Sequence, residues 1–215
     1  MHKPAYLGVY NRYVKRVIDV LLALPIMVAA IPLYAVISIA IIAEDGPPVF
    51  YRPRRGGFKN KPFRILKFRT MVKDADRVGG GTTALYDPRI TKVGNFLRKT
   101  KLDETPNLIN IIIGTMSFVG PRPELIQYTD KYEGKEKEIF MVRPGVTDFS
   151  SMEFINLDEV VGTKNVDEMY EKYVLEKKNK LRIKYAESVS FKTDVYIFFT
   201  TICLVFKKIY RFLIK

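Results

Sequence analysis

The chain has 215 residues, with 36 Lys and Arg against 23 Asp and Glu, and 47% of it is hydrophobic, including 13 Tyr and 14 Phe. That much apolar surface supports a packed core and excludes a disordered or collagenous chain. A single cysteine, Cys203, and a single histidine, His2, exclude an internal disulfide, a Cys/His zinc site and histidine-based catalysis, so acids, bases and nucleophiles must be carboxylates, Lys or Tyr. The net charge of +13 points to a polyanionic partner: nucleic acid, an anionic membrane or a phosphorylated substrate.

Residues 20–43 carry no charge. As a helix they reach about 36 Å, the thickness of a hydrocarbon core, which predicts a membrane segment. The run is too long for a cleavable signal and has no small-x-small cleavage site, so the segment is expected to stay attached. Lys3, Arg12, Lys15 and Arg16 precede it, while Arg52, Arg54, Arg55, Lys59, Lys61, Arg64, Lys67, Arg69 and Lys73 follow. A straight crossing would export one of these basic clusters. Pro25 and Pro32 each remove a helix hydrogen bond, so a helix that enters, bends and returns to the same face answers both facts. Charge counting alone leaves open a single-pass helix with its N-terminus outside.

Gly46, Pro47 and Pro48 end the apolar run, and residues 49–51 and 63–68 predict a β-hairpin with a basic face over a packed one. No acid interrupts residues 46–73, a pattern suited to anionic headgroups, to substrate phosphate, or to both. Asp74, Asp76, the triple glycine at 79–81 and Asp87-Pro88 make residues 74–92 read as a polar, mobile loop. The triple glycine lacks the Gly-Lys-Ser/Thr of a phosphate loop and reads as a hinge or linker.

Residues 93–124, VGNFLRKTKLDETPNLINIIIGTMSFVGPRPE, are the most informative. Asp103 and Glu104 precede Pro106, and Leu108, Ile109, Ile112 and Ile113 follow with helical spacing, which places both carboxylates at a helix N-terminus. There the helix dipole favours their charged forms and free amides welcome phosphate. An isolated Asp-Glu pair at such a place is a plain cap. What singles this one out is its company: Arg98 about a turn earlier, Pro121-Arg122-Pro123 and Arg143-Pro144-Gly145. Arginine forks held among prolines suit phosphate oxygens.

Residues 166–185, rich in Glu, Lys and Tyr, read as a solvated helix over the core, with no chemistry assigned. Residues 195–206 are apolar but too few to span a bilayer, and Lys207, Lys208, Arg211 and Lys215 follow. This end reads as an interfacial amphipathic helix, with a core helix as the alternative. The organisation expected is a membrane-inserted helix over 1–45, a catalytic domain over 46–190 and the interfacial helix over 191–215. No βαβ repeat or Gly-x-Gly-x-x-Gly fingerprint appears, so a doubly wound nucleotide fold is not expected.

Lys15-Arg16 through Asp19 before a Pro-broken apolar helix, KFRTM at 67–71, DPRITKVGNFLRKTKLDE at 87–104, MSFVGPRPE at 116–124 and RPGVTD at 143–148 occur in order. In this the chain resembles, over nearly its whole length, the bacterial sugar transferases, or monotopic phosphoglycosyl transferases, and in particular their small single-domain members. The resemblance implies an α/β, α-rich monotopic membrane protein. It would have a re-entrant N-terminal helix broken at Pro32, a small β-hairpin or sheet and interfacial helices, on the cytoplasmic face of a bacterial inner membrane. It implies transfer of a sugar 1-phosphate from a UDP-sugar to polyprenyl phosphate, such as undecaprenyl phosphate, with release of UMP. That is the first membrane step of lipopolysaccharide, capsule, exopolysaccharide or glycoprotein assembly.

By the same resemblance Asp103 is the nucleophile of a ping-pong mechanism and forms an aspartyl phosphosugar. Glu104 completes the catalytic dyad and is the ligand for Mg2+. Lys67, Arg69, Arg98, Arg122 and Arg143 are candidates for orienting phosphates. Nucleic acid is not an expected partner, and the oligomeric state is open. The chain departs from common family patterns at Lys101, at Thr105-Pro106-Asn107, at Gly114-Thr115-Met116-Ser117 and over 147–152, which leaves the donor sugar undetermined. Two other functions are compatible with parts of the pattern: a membrane-anchored basic adaptor for nucleic acid or anionic lipid, and a glycosyl transferase that releases UDP.

Overall fold

A computed structural model describes residues 4–75, 87–155, 157 and 166–214. A π-helical turn, Tyr10–Val14, leads into α1, Lys15–Asp45. Helical structure continues through both Pro25 and Pro32, over a path of about 46 Å along the helix axis. Pro32, where the break is expected, lies inside this helical segment, since a proline removes one donor and the flanking turns keep theirs. The stretch Tyr10–Asp45 is long and apolar enough to cross a membrane.

One face of α1, carrying Lys15, Asp19, Ala23, Tyr34, Ile37 and Ile41, is buried against the rest of the protein. Leu21, Leu24, Val28, Ile31, Val36 and Ile39 are exposed. Both ends of α1 are tied to the same body. Near its start, Arg16 donates to the carbonyls of Ile111 and Ile112, the latter at 2.7 Å, and Asp19 Oδ1 accepts from the Phe118 amide at 3.2 Å. At its end, the Glu44 carboxylate accepts from the amides of Lys92 at 2.7 Å and Val93 at 2.9 Å, while Asp45 pairs with Arg69 at 3.2 Å.

The predicted hairpin is present as an antiparallel ladder in two pieces. β1 (Phe50–Tyr51) pairs with β4 (Lys67–Phe68), and β2 (Arg54–Arg55) pairs with β3 (Phe63–Arg64). Phe50 stacks on Phe68 at 5.3 Å, and Phe68 meets Tyr34 of α1 edge-on at 5.2 Å, so the hairpin's apolar face is seated on the helix. Arg52, Arg54, Lys59, Lys61 and Arg64 are exposed on the other side. The two ends of the 74–92 segment are pinned together: Met71 bridges Ile90, and the Arg89 guanidinium holds Asp87 at 2.7 Å. The triple glycine at 79–81 lies outside the described residues.

α2 (Lys92–Thr100) is capped by Thr91, whose hydroxyl oxygen accepts from the Gly94 amide at 2.9 Å. A Cβ on Gly94 would lie 2.0 Å from the Thr70 carbonyl oxygen, so only glycine lets the helix approach the hairpin this closely. α3 (Asn107–Ile113) stops at Gly114 in a left-handed conformation, φ +89°. Two short strands, β5 (Ser117–Val119) and β6 (Gly145–Thr147), form a parallel pair, with Ser117 opposite Gly145 and Val119 opposite Thr147. Between them lie α4 (Ile126–Thr129) and a 3₁₀ segment, Gly134–Met141, and α5 (Phe149–Glu153) follows β6. No such parallel pair was expected, since runs of three residues carry almost no periodicity.

The chain ends in α6 (Val166–Met169), a π-helical turn (Tyr170–Leu175), α7 (Glu176–Ser188) and α8 (Phe191–Ile214). Residues 166–185 are helical and lie over the core as read, with Glu171, Lys172, Glu176, Lys177 and Lys180 exposed, but the inner face carries polar groups. Tyr170, Val174, Lys178, Asn179, Arg182 and Tyr185 are buried, and the polar ones bond to one another or to the body, which a hydropathy pattern cannot reveal. α8 buries Ile197 completely and links Thr201 to Thr147 at 2.7 Å, while Phe191, Val195, Phe199, Phe206, Tyr210 and Ile214 remain exposed. One face of α8 is thus core, and the other is apolar and exposed. The three segments expected from sequence share their cores: Tyr10, Val119, Tyr185 and Ile197 pack together, as do Tyr34, Phe68 and Leu97.

Candidate active site

α2 ends at Lys101, which adopts φ +61°. This left-handed residue turns the chain into the short 3₁₀ turn Leu102–Glu104, so the dyad sits between two helices and not inside either. α3, which starts three residues beyond Glu104, lays Leu108 and Ile111 into the core with Ile65 and Met116 and so fixes the turn from below. Opposite it stand Lys67 of β4 and Arg122 of the Pro121-Arg122-Pro123 loop.

The two carboxylates have different surroundings. Glu104 Oε1 accepts from Lys67 Nζ at 2.8 Å and from Arg122 Nη2, and its Oε2 accepts from Arg122 Nη1 at 2.8 Å. This is a bidentate fork plus a point charge on one carboxylate. Burial pushes Glu104 up, but Arg122 and then Lys67 more than offset it, and the carboxyl is held well below its usual range. Arg122 is correspondingly raised by Glu104. Burial pulls Lys67 below its ordinary value although Glu104 opposes this. With Glu104 at 2.8 Å, the ion pair is the state that satisfies both groups.

Asp103 is only 8% exposed and joins no hydrogen bond or ion pair among the described residues; its Oδ1 is buried without a partner. Burial raises its pKa, the Glu104 charge adds to the effect, and Lys67, Lys101 and Arg98 work against it. The sequence reading, in which a helix dipole keeps Asp103 ionised, is reversed in direction: desolvation outweighs the favourable charges. One carboxylate is thus locked and ionised, while its neighbour has a free oxygen and raised basicity.

Of the other expected site residues, Arg98 faces Asp103 and Asp87 through space and donates no hydrogen bond among the described residues. Arg69 is not brought to the dyad. It is buried against the end of α1, where it pairs with Asp45 and donates to the Asp45 and Gly46 carbonyls. Arg143 also lies elsewhere: its Nε donates to the Gly114 carbonyl at 3.2 Å and its guanidinium sits 5.1 Å from the Phe58 ring centre, at the far end of α3 beside Arg16. Sequence gives the charge of an arginine but not its direction.

One residue at the site is not among those read from the sequence as site residues: Lys101 contributes positive potential to both carboxylates. Asn107, four residues after Asp103, is 1% exposed with Oδ1 unbonded among the described residues.

The profile described as bacterial sugar transferase matches residues 10–208. The chain is 35% identical over 196 residues to the UDP-glucose:undecaprenyl-phosphate glucose-1-phosphate transferase of Escherichia coli (strain K12), a match covering 89% of this chain and 40% of the relative. It is 33% identical over 213 residues to the UDP-galactose-lipid carrier transferase of Erwinia amylovora, with 92% and 41% covered. Over 148 residues it is 35% identical to the UDP-N-acetylgalactosamine-undecaprenyl-phosphate N-acetylgalactosaminephosphotransferase of Aeromonas hydrophila, with 65% and 34% covered. The chain thus spans between 34% and 41% of the length of these relatives. Their names carry three different donor sugars.

Proposed function

The chain belongs to the bacterial sugar transferase family, and on that premise we propose that it transfers a sugar 1-phosphate from a UDP-sugar to undecaprenyl or another polyprenyl phosphate, releasing UMP. The observation that carries this reading is the asymmetry of the dyad: Asp103 has a buried, unbonded carboxylate oxygen beside a Glu104 held by Lys67 and Arg122.

Asp103 attacks the phosphorus that bears the sugar, the bond from that phosphorus to the bridging oxygen breaks, and UMP leaves with the bonding electrons. The aspartyl phosphosugar is then attacked by an oxygen of polyprenyl phosphate, which restores the carboxylate and yields a polyprenyl diphosphate sugar. Two displacements suit a water-borne donor and a membrane-borne acceptor, each of which meets the same nucleophile in turn. The raised basicity of Asp103 favours attack, and Lys101 and Arg98 temper the charge accumulated as the diphosphate approaches.

The donor set fits a hard divalent cation. The oxygens of Glu104 are already engaged by Lys67 and Arg122, while Asp103 Oδ1 is a buried oxygen donor without a partner among the described residues, and Mg2+ takes one or two protein oxygens with substrate phosphates and water. Glu104, the ligand expected from sequence, would hold Mg2+ only by releasing Lys67 or Arg122, and the cation would supply neutralisation of phosphate charge.

For the membrane, we propose that α1 enters and returns on one face, with the active site at the cytoplasmic surface of the inner membrane and α8 lying in the headgroup layer. Supporting this, both ends of α1 bond to one body, and apolar residues stay exposed on α1 and α8.

The test is nucleotide release by the detergent-solubilised full chain with Mg2+, undecaprenyl phosphate and a panel of UDP-sugars. UMP release with one donor, lost in Asp103→Asn, supports the proposal, as does a single sugar-phosphate adduct on the Asp103 peptide when acceptor is withheld. Release of UDP, or an Asp103→Asn variant as active as the parent, overturns it.

A further inference from the structure

Arg122 carries the clamp on Glu104, and a surface loop of two prolines and an arginine does not by itself hold a guanidinium in one place. Its backbone amide donates to Asp148 Oδ2 at 3.1 Å, and its Nη1 also donates to the Val146 carbonyl at 3.1 Å. Asp148 has no exposure at all. Besides the Arg122 amide, its carboxylate accepts from the Ser150 hydroxyl at 2.8 and 2.9 Å, the Ser151 amide at 2.7 Å and the Ser151 hydroxyl at 2.7 Å. A buried carboxylate saturated in this way, and set near Arg122, Lys178 and Arg182, is a fixed point of the interior. The parallel pair β5–β6 brings it there: Gly120 donates to the Thr147 carbonyl at 2.9 Å and Gly145 to the Pro121 carbonyl at 3.1 Å, so residues 120–122 run beside 145–148.

Capping α5 needs only one oxygen, on the Ser151 amide. The second oxygen of Asp148 is directed at the loop that holds the dyad. Resting on the function proposed above, we infer that Asp148 is a positioning residue: it anchors the Arg122 amide and thereby fixes the guanidinium that holds Glu104.

Serine separates the two duties of Asp148. Asp148→Ser keeps a good helix cap but cannot reach both the cap and Arg122. The full chain is assayed for UMP release in four forms: parent, Asp148→Ser, Arg122→Ala and the double variant. The expected result is a kcat about tenfold lower for Asp148→Ser, the loss that follows one charge-assisted hydrogen bond, with KM for the UDP-sugar within about twofold. In the Arg122→Ala background the same change is expected to cost less than about twofold, because the group it positions is gone.

An equal loss in both backgrounds makes Asp148 a purely structural cap and overturns the inference, as does Asp148→Ser at parental kcat. If Asp148→Ser does not fold, Asp148→Asn is run through the same cycle and read in the same way. A parent that releases no UMP with any donor fails the function proposal itself, and this inference falls with it. A parent that works, with an additive cycle, fails only the inference.

Discussion

Replacing Arg122 gives a graded test of the dyad. Its guanidinium makes two hydrogen bonds to Glu104, one to each carboxylate oxygen. A hydrogen bond to a charged group contributes about 1.5–3 kcal/mol, and the lower value applies because the Arg122 side chain is 32% exposed. Two such bonds give about 3 kcal/mol, or roughly a hundredfold in rate if the clamp matters in the transition state. Arg122→Lys keeps the charge but not the fork and is expected to lose about tenfold in kcat/KM, whereas Arg122→Ala loses about a hundredfold.

The pH profile supplies an independent sign. Arg122 is the largest influence lowering Glu104, against a burial effect that raises it. Without Arg122 the largest lowering influence is lost, so Glu104 takes up its proton at higher pH than in the parent, and the acid limb of kcat/KM moves upward in Arg122→Ala. UMP release measured from pH 5 to 9 reads both effects. Lys and Ala variants of equal activity, or an acid limb that stays in place, would refute the clamp.

Arg182, 1% exposed and 2.8 Å from Glu124, belongs to a buried pair, so Arg182→Ala should cost about 3–5 kcal/mol and lower Tm by about 10 °C in a thermal melt; a shift under about 3 °C would contradict it. Lys178 is pushed down to about 7, chiefly by burial, so between that pH and its ordinary 10.5 the unfolded chain binds the extra proton and stability rises with pH. Denaturant melts at pH 7.5 and 9 should show the parent gaining up to about 1.4 kcal/mol per pH unit over Lys178→Met, and parallel curves would count against it. Arg69→Ala should lower Tm through loss of the contact with α1 and leave KM for the UDP-sugar within about twofold; a raised KM at unchanged Tm would return Arg69 to the substrate.

The elements legible in the sequence were those with strong local patterns. The uncharged run of α1, the hairpin around Phe50 and Phe68, and the helix after Pro106 all announce themselves within a few residues, and the dyad is marked by its neighbours. What could not be read depends on contacts between distant residues. The bond from Arg122 to Asp148 joins positions 26 apart, and that from Arg182 to Glu124 joins positions 58 apart. Arg69 and Arg143 illustrate the complementary error: a cation in a suggestive motif can equally well cap a helix end, as both do here. The sign of the Asp103 shift was missed because desolvation depends on packing, which no spacing of charges encodes.

The fastening of α1 at both ends means that this helix is not an exchangeable part. A fragment starting at residue 46 would leave Phe68, Leu97 and Ile111 uncovered, the amides of Lys92 and Val93 without Glu44, and Asp194 without Lys15. Such a fragment would collect in the insoluble fraction instead of becoming a convenient water-soluble enzyme. A foreign apolar helix grafted in place of α1 would match its length but would not rebuild the floor on which the dyad's turn is built. Substitutions along the inward stripe of α1, at Ala23, Tyr34, Ile37 and Ile41, are therefore constrained by the packing that supports the chemistry, whereas those on its outward stripe, at Leu24, Val28, Ile31 and Val36, touch none of these cores.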